Sequence, residues 1–100
     1  MVIRKRTFDP FADPSAASAL LSALGPVRAV LVCGLVTSIC VHLTAASCYQ
    51  RGLATSVVQD ACADEEPRHE HTLATYDDLM YRVINTDDVI AEASGPPRFA

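Results

Sequence analysis

The chain has 100 residues, 50% of them hydrophobic, with 12 acidic against 8 basic side chains and a formal charge of −4. A chain of this length supports one core and buries roughly 60–65% of the surface its unfolded form exposes, which excludes a second independently folded domain. The hydrophobic content excludes disorder, and the negative balance argues against a phosphate-backbone binder, so nucleic acid is not an expected partner.

Taken in chain order, Val2-Ile3 reads as an opening strand, and Arg4-Lys5-Arg6 runs into Thr7-Phe8-Asp9-Pro10 without an apolar export segment. A cytoplasmic protein is therefore expected, and Cys33, Cys40, Cys48 and Cys62 read as reduced thiols rather than a disulfide framework. Asp13-Pro14-Ser15 offers a cap and a first-turn proline, after which Ala17, Leu20, Leu21 and Leu24 follow helical spacing until Gly25-Pro26.

Ala29 to Gln50 is an uncharged stretch of 22 residues, long enough for a membrane span. Its character changes halfway, however. Ala29-Val30-Leu31-Val32-Cys33 is short and β-branched, Gly34 punctuates, and Thr37-Ser38 opens a run rich in Ala, Leu and Cys, so a strand followed by a helix fits better than a span. Ala54 to Asp60 reads as the next strand. Asp64 with Pro67 begins another helix, on which His69, Leu73, Tyr76 and Met80 share a face. Tyr81-Arg82-Val83-Ile84 closes the strands, Thr86-Asp87-Asp88 caps a short final helix, and Ser94-Gly95-Pro96-Pro97 reads as a frayed tail. The expected organisation is one domain over residues 1–93 and a flexible tail over 94–100.

Alternating strands and helices imply crossover connections and a parallel sheet covered on both faces, an α/β class with three layers. Such sheets hold their sites beyond the carboxyl ends of the strands, which directs attention to Lys5 and to Gly34-Leu35-Val36-Thr37-Ser38-Ile39-Cys40. A helix starting at Thr37 or Ser38 places Cys40 in its first turn, where backbone N–H groups and the positive end of the dipole favour a thiolate. A nearby cation would favour it further. On this physics alone, a cysteine at such a junction is more often a packing residue than a nucleophile.

The segment Gly34-Leu35-Val36-Thr37-Ser38-Ile39-Cys40-Val41, followed by Thr44-Ala45 and Arg51-Gly52-Leu53, resembles the nucleophile segment of the isochorismatase-like cysteine hydrolases. Lys5 to Phe11 is similar to the family's lysine segment. Val57 to Asp64, Arg68-His69-Glu70 and Tyr81-Arg82-Val83 resemble its later elements, so the likeness runs from about Val2 to Ile90. It implies a Rossmann-like three-layer fold and a Cys nucleophile, here Cys40, that attacks a small amide, ureide or related substrate to form a thioester. It implies that Lys5 stabilises the thiolate and the developing charge, that the backbone N–H groups of Val36 and Cys40 form an oxyanion hole, and that the Leu35–Val36 peptide is cis.

The family's catalytic aspartate, which ends its opening strand well before the lysine, has no counterpart here. Met1 stands only four positions before Lys5, and Asp9, Asp13, Asp60 and Asp64 read as turn, cap and strand-end residues. The resemblance thus implies the C-terminal half of such a hydrolase, with the N-terminal strands missing. The alternative is an inactive remnant serving as a binding or subunit-interaction module. A small-molecule substrate and a homo-oligomer are the expected partners, with no membrane and no organic cofactor. His69-Glu70-His71 puts two imidazoles on different helix faces and implies no metal. Cys33 and Cys48 read as packing residues, and Cys62, after a strand end, as partly reactive.

Overall fold

The computed structural model describes residues 1–94. A 3₁₀ turn over Pro10–Ala12 leads into helix α1, Pro14–Leu24, and then strand β1, Ala29–Leu35. A π turn over Thr37–Val41 continues directly into helix α2, His42–Gln50. Strand β2, Ala54–Ala63, helix α3, Arg68–Tyr76, strand β3, Arg82–Ile84, and helix α4, Thr86–Ala93, complete the order. The three strands form one parallel sheet in the order β1-β2-β3, an α/β fold as expected.

Helix α1 begins and ends where its sequence dictates. The Asp13 carboxylate accepts from the Ser15 N–H at 3.3 Å, Pro14 occupies the first position, and Gly25, at φ 51°, closes the helix by donating to the Leu21 carbonyl at 3.1 Å. The residue that caps α4 is Asn85, one position before the expected Thr86. Its N–H donates to Asp88 Oδ2 at 2.9 Å, a back-bond from the first turn. Helix α3 stops at Tyr76, so Met80 packs on the core from the loop beyond it.

The core forms where register and helix contacts coincide. Val32 pairs with Val57 and Val57 with Val83, so three β-branched residues form a row across the parallel sheet. Val57, fully buried, packs with Val41 and Ala45 from the π turn and α2, with Leu73 from α3, and with Tyr81. Ala45 is also fully buried, and its small side chain lets α2 approach the strands closely.

One expectation is corrected. Val2-Ile3 is not a strand: among the described residues the sheet has three strands, and Val2 is 90% exposed. The polar groups that follow are satisfied locally, Lys5 Nζ by the Thr7 and Phe8 carbonyls and the Arg6 N–H by Asp13 Oδ2 at 2.8 Å, which turns the chain before a ladder can form. The stretch 29–50 is divided into β1, the π turn and α2, the strand followed by a helix that was expected. No helix among the described residues is long and apolar enough to cross one. Residues 95–100, where most of the expected tail falls, lie outside the described residues.

Candidate active site beyond the end of the first strand

Strand β1 ends in an abrupt change of backbone. Gly34 has φ +123°, a value an L side chain rarely adopts, and it lies where the β1–β2 register shifts between Val32 and Gly34. The Leu35–Val36 peptide is cis, as the resemblance implied. The Val36 carbonyl then accepts from the N–H groups of Ile39 and Val41, each at 3.2 Å, and the second bond closes the wider π-type turn. Cys40 sits on this turn, half-buried, one residue before the buried Val41.

Two side chains that the sequence reading assigned elsewhere hold the turn in place. Asp64 Oδ2 accepts from the Ser38 N–H at 2.8 Å and from Ser38 Oγ at 2.5 Å. These bonds hold the Asp64 carboxyl below the usual carboxylate range, so an anion already occupies this helix start. Thr37, 1% exposed, shares a 2.6 Å hydrogen bond between its Oγ1 and His69 Nδ1. Asp64 had read as a strand-end residue and His69 as a helix-face residue. The signal that could have found Asp64 is the register itself: Leu35 pairs with Ala63, so the residues immediately after the two strands, Val36 and Asp64, emerge side by side.

The lysine segment reaches the turn as a clamped loop. Asp9 caps the 3₁₀ turn by accepting from the Phe11 N–H at 2.9 Å and also accepts from Ser47 Oγ on α2, while the Arg51 guanidinium lies 4.0 Å over the Phe11 ring. Further along the segment, Asp13, 3% exposed, takes Arg6 Nε and Nη2 at 3.2 and 3.1 Å. The Arg6 guanidinium, and then the Arg6 N–H, hold its carboxyl down at about 2. Immediately before these anchors, Lys5 Nζ donates to the Thr7 and Phe8 carbonyls at 2.8 and 3.0 Å.

The result is a cavity of about 320 Å³ whose lining includes both Lys5 and Cys40. Ile3, Pro10, Leu20 and Val32 give it apolar walls, and Cys33 adds a second thiol. A small, mostly apolar cavity with one ammonium and one turn-borne thiol suits a compact neutral molecule with one polar reacting group. The N–H groups of Val36 and Cys40 belong to the same turn, four residues apart.

The other thiols differ in setting. Cys33 is exposed on β1. Cys48 is buried in α2, and burial pushes its thiol up; burial does the same to Cys62, packed against the core. Behind the turn, His42 Nδ1 lies 2.9 Å from the Tyr81 hydroxyl and its ring stacks on Tyr76 at 4.2 Å between centroids. Burial lowers the His42 imidazole below its ordinary value and, as the leading cause, pushes the Tyr81 hydroxyl up to about 12. No group of three or more His, Cys, Asp or Glu side chains that could hold a metal occurs among the described residues.

The family described as Isochorismatase domain matches residues 1–88. No curated protein matches the chain. Among solved structures, it is similar to a putative hydrolase of the isochorismatase family from Chromobacterium violaceum, with 27% identity and a TM-score of 0.79 over 94% of this chain and 54% of that one. A putative isochorismatase from Burkholderia xenovorans shares the fold, with 22% identity and a TM-score of 0.82 over 98% and 51%. The nicotinamidase PncA of Bacillus subtilis is similar at 25% identity and a TM-score of 0.68 over 81% and 45%. The chain thus spans about half the length of the solved structures it matches.

Proposed function

The chain belongs to the isochorismatase family of hydrolases, and from that premise we propose that it carries the nucleophile half of a cysteine hydrolase acting on small amides, ureides or related substrates. The observation that carries this reading is the shared cavity of Lys5 and Cys40, approached from two separate segments that are each clamped in place. Its apolar walls and modest volume favour a small, largely uncharged substrate, and the similarity to a nicotinamidase supports amides within that class.

In the proposed reaction Cys40 Sγ attacks the carbonyl carbon, forming a C–S bond as the carbonyl π electrons move onto oxygen. The Val36 and Cys40 N–H groups receive that oxyanion, and the Lys5 ammonium stabilises the negative charge. Collapse breaks the C–N bond, the leaving nitrogen departs with a proton as amine or ammonia, and the acyl group remains as a thioester. Water then adds to the thioester carbon, releasing the carboxylic acid and returning the proton to the Cys40 thiol. Each proton transfer needs an acid–base group, and the catalytic aspartate of the resemblance has no match in this chain. We assign it to polypeptide beyond these 100 residues, in keeping with a chain that spans about half of its structural relatives.

General acid–base assistance contributes about 10²–10⁴-fold. Ammonia release from nicotinamide and a panel of small amides should therefore be lower by about that factor in the 100-residue chain than in a protein extended by a segment that supplies the aspartate. Cys40→Ala should abolish release from both. An enzyme-like rate that survives Cys40→Ala would contradict the proposal.

A further inference from the structure

The backbone N–H groups at the start of a helical segment carry its positive end, and the group that receives them decides what charge sits there. In the Cys40 turn, those of Ile39 and Val41 go to the Val36 carbonyl. That of Ser38, two positions before Cys40, leaves the turn and donates to Asp64 Oδ2 at 2.8 Å; Ser38 Oγ donates to the same oxygen at 2.5 Å. A carboxylate just beyond the end of β2 is thereby fixed at the end of the turn that would otherwise favour a thiolate.

We propose that Asp64 is a positioning residue with two effects: it anchors the nucleophile turn to the end of β2, and its charge, seated at the amino end of that turn, restrains the reactivity of the Cys40 thiol. This role rests on the reading of Cys40 as the nucleophile, whose activation then falls to the Lys5 ammonium in the shared cavity. The Ser38 bonds keep the Asp64 carboxyl below the usual carboxylate range, so the charge is present at neutral pH. Around the turn, Lys5 and Cys33 share the Cys40 cavity, Cys62 lies on β2, and His42 opens α2 and is turned to Tyr81. From α3, His69 bonds Thr37, and Arg68 stands on the Asp64 side, 4.0 Å from Glu65. Asp64 is the carboxylate that bonds the turn directly. The Thr37–His69 bond and the two bonds to the Val36 carbonyl hold the turn independently of it, so its charge is separable from the turn's shape.

The test is the rate of iodoacetamide alkylation of Cys40, read by mass spectrometry of the peptide that carries it, in wild type and Asp64→Asn. The Asn amide oxygen accepts the same two bonds from Ser38 and gives up the charge together with the local bond from the Glu65 N–H at 2.7 Å. From the usual strength of a charge at a helix end, Cys40 in Asp64→Asn should be alkylated about two- to fivefold faster at neutral pH. Its rate–pH profile should move to lower pH, and the gain should shrink in molar salt. Asp64→Ser, a second neutral replacement, should change the rate in the same direction. Asp78→Asn removes the same charge from the exposed loop before β3, at the opposite end of the parallel sheet and at a φ of 60° that Asn tolerates; it should leave the rate unchanged.

An unchanged or slower Cys40 in Asp64→Asn, an equal gain in Asp78→Asn, or a gain that salt does not reduce would overturn the proposal. Loss of the native circular dichroism in both Asp64 variants would overturn it equally, because the bonds at Val36 and His69 would then not suffice to hold the turn. Iodoacetamide reads the thiol whether or not an acyl group ever reaches it. A negative result here therefore leaves the hydrolase reading standing, whereas a failure of acylation at Cys40 would remove the catalytic meaning of the restraint without changing these rates.

Discussion

Replacing Val57 by alanine tests whether the valine row beneath α2 is the core on which the candidate site rests. Val57 is fully buried, flanked in register by Val32 and Val83 and covered by Val41, Ala45 and Leu73. The substitution removes two methyl-sized groups, at about 0.8 kcal/mol each in transfer free energy. A sheet and a helix held by backbone hydrogen bonds cannot collapse fully into the space, so the cavity term raises the cost to about 2–3 kcal/mol. For a domain near this size each kcal/mol lowers Tm by roughly 4–8 °C, so a fall of about 10–20 °C is expected. Urea denaturation followed by circular dichroism should show the midpoint shift at constant slope, since neither end state changes its exposed surface appreciably. A loss below about 0.5 kcal/mol, the range of surface substitutions, would refute this placement of the core.

Three further outcomes follow from the titratable groups and thiols. The Asp13 carboxyl is held at about 2 against an ordinary 3.8, so its stabilising effect is present above the ordinary value and is lost as pH falls toward 2. The difference in Tm between wild type and Asp13→Asn should therefore be largest near neutrality and vanish at the acid end; a difference independent of pH would contradict the Arg6 pairing. The imidazole of His42 lies below its ordinary 6.5 because burial disfavours its charged form, so its contribution is present above 6.5 and declines as pH falls below it. His42→Phe, which keeps a ring against Tyr76, should flatten the Tm–pH curve in that window, and an unaltered slope would count against the buried neutral imidazole. In timed iodoacetamide labelling at neutral pH, Cys40 and the exposed Cys33 should react before Cys48 and Cys62, whose thiols burial pushes up, with Cys40 first. Equal labelling of all four in the folded protein would remove the support for an activated nucleophile.

Local chemistry made much of the fold legible. Asp13, Pro14 and Gly25 bracket α1 because a cap, a preset φ and a positive φ are properties of single residues. Gly34, read as the break between strand and helix, lies inside β1 at its register shift, and the strand runs on to Leu35. Val2-Ile3 misled because a short apolar pair is compatible with a strand, whereas pairing depends on a neighbour that local sequence does not specify. The cavity's two principal residues, Lys5 and Cys40, were reached through motif resemblance joined to the expected location beyond a strand end. Asp64 and His69 were not, because their partners Ser38 and Thr37 are 26 and 32 positions away and become neighbours only through the parallel register. His42 and Tyr81, 39 positions apart, are paired by the same crossover geometry.

The central claim is that Cys40 is the nucleophile, and acid-quenched intact-mass spectrometry after incubation with a small activated ester, whose phenolate leaves without protonation, tests it most directly. Acylation from such an ester does not need the acid–base aspartate, while deacylation by water does, so the thioester should accumulate. The expected result is one added acyl mass that maps to Cys40, is released by hydroxylamine and is absent from Cys40→Ala. An adduct on Cys33 or Cys62 instead, or one that persists in Cys40→Ala, would contradict the account.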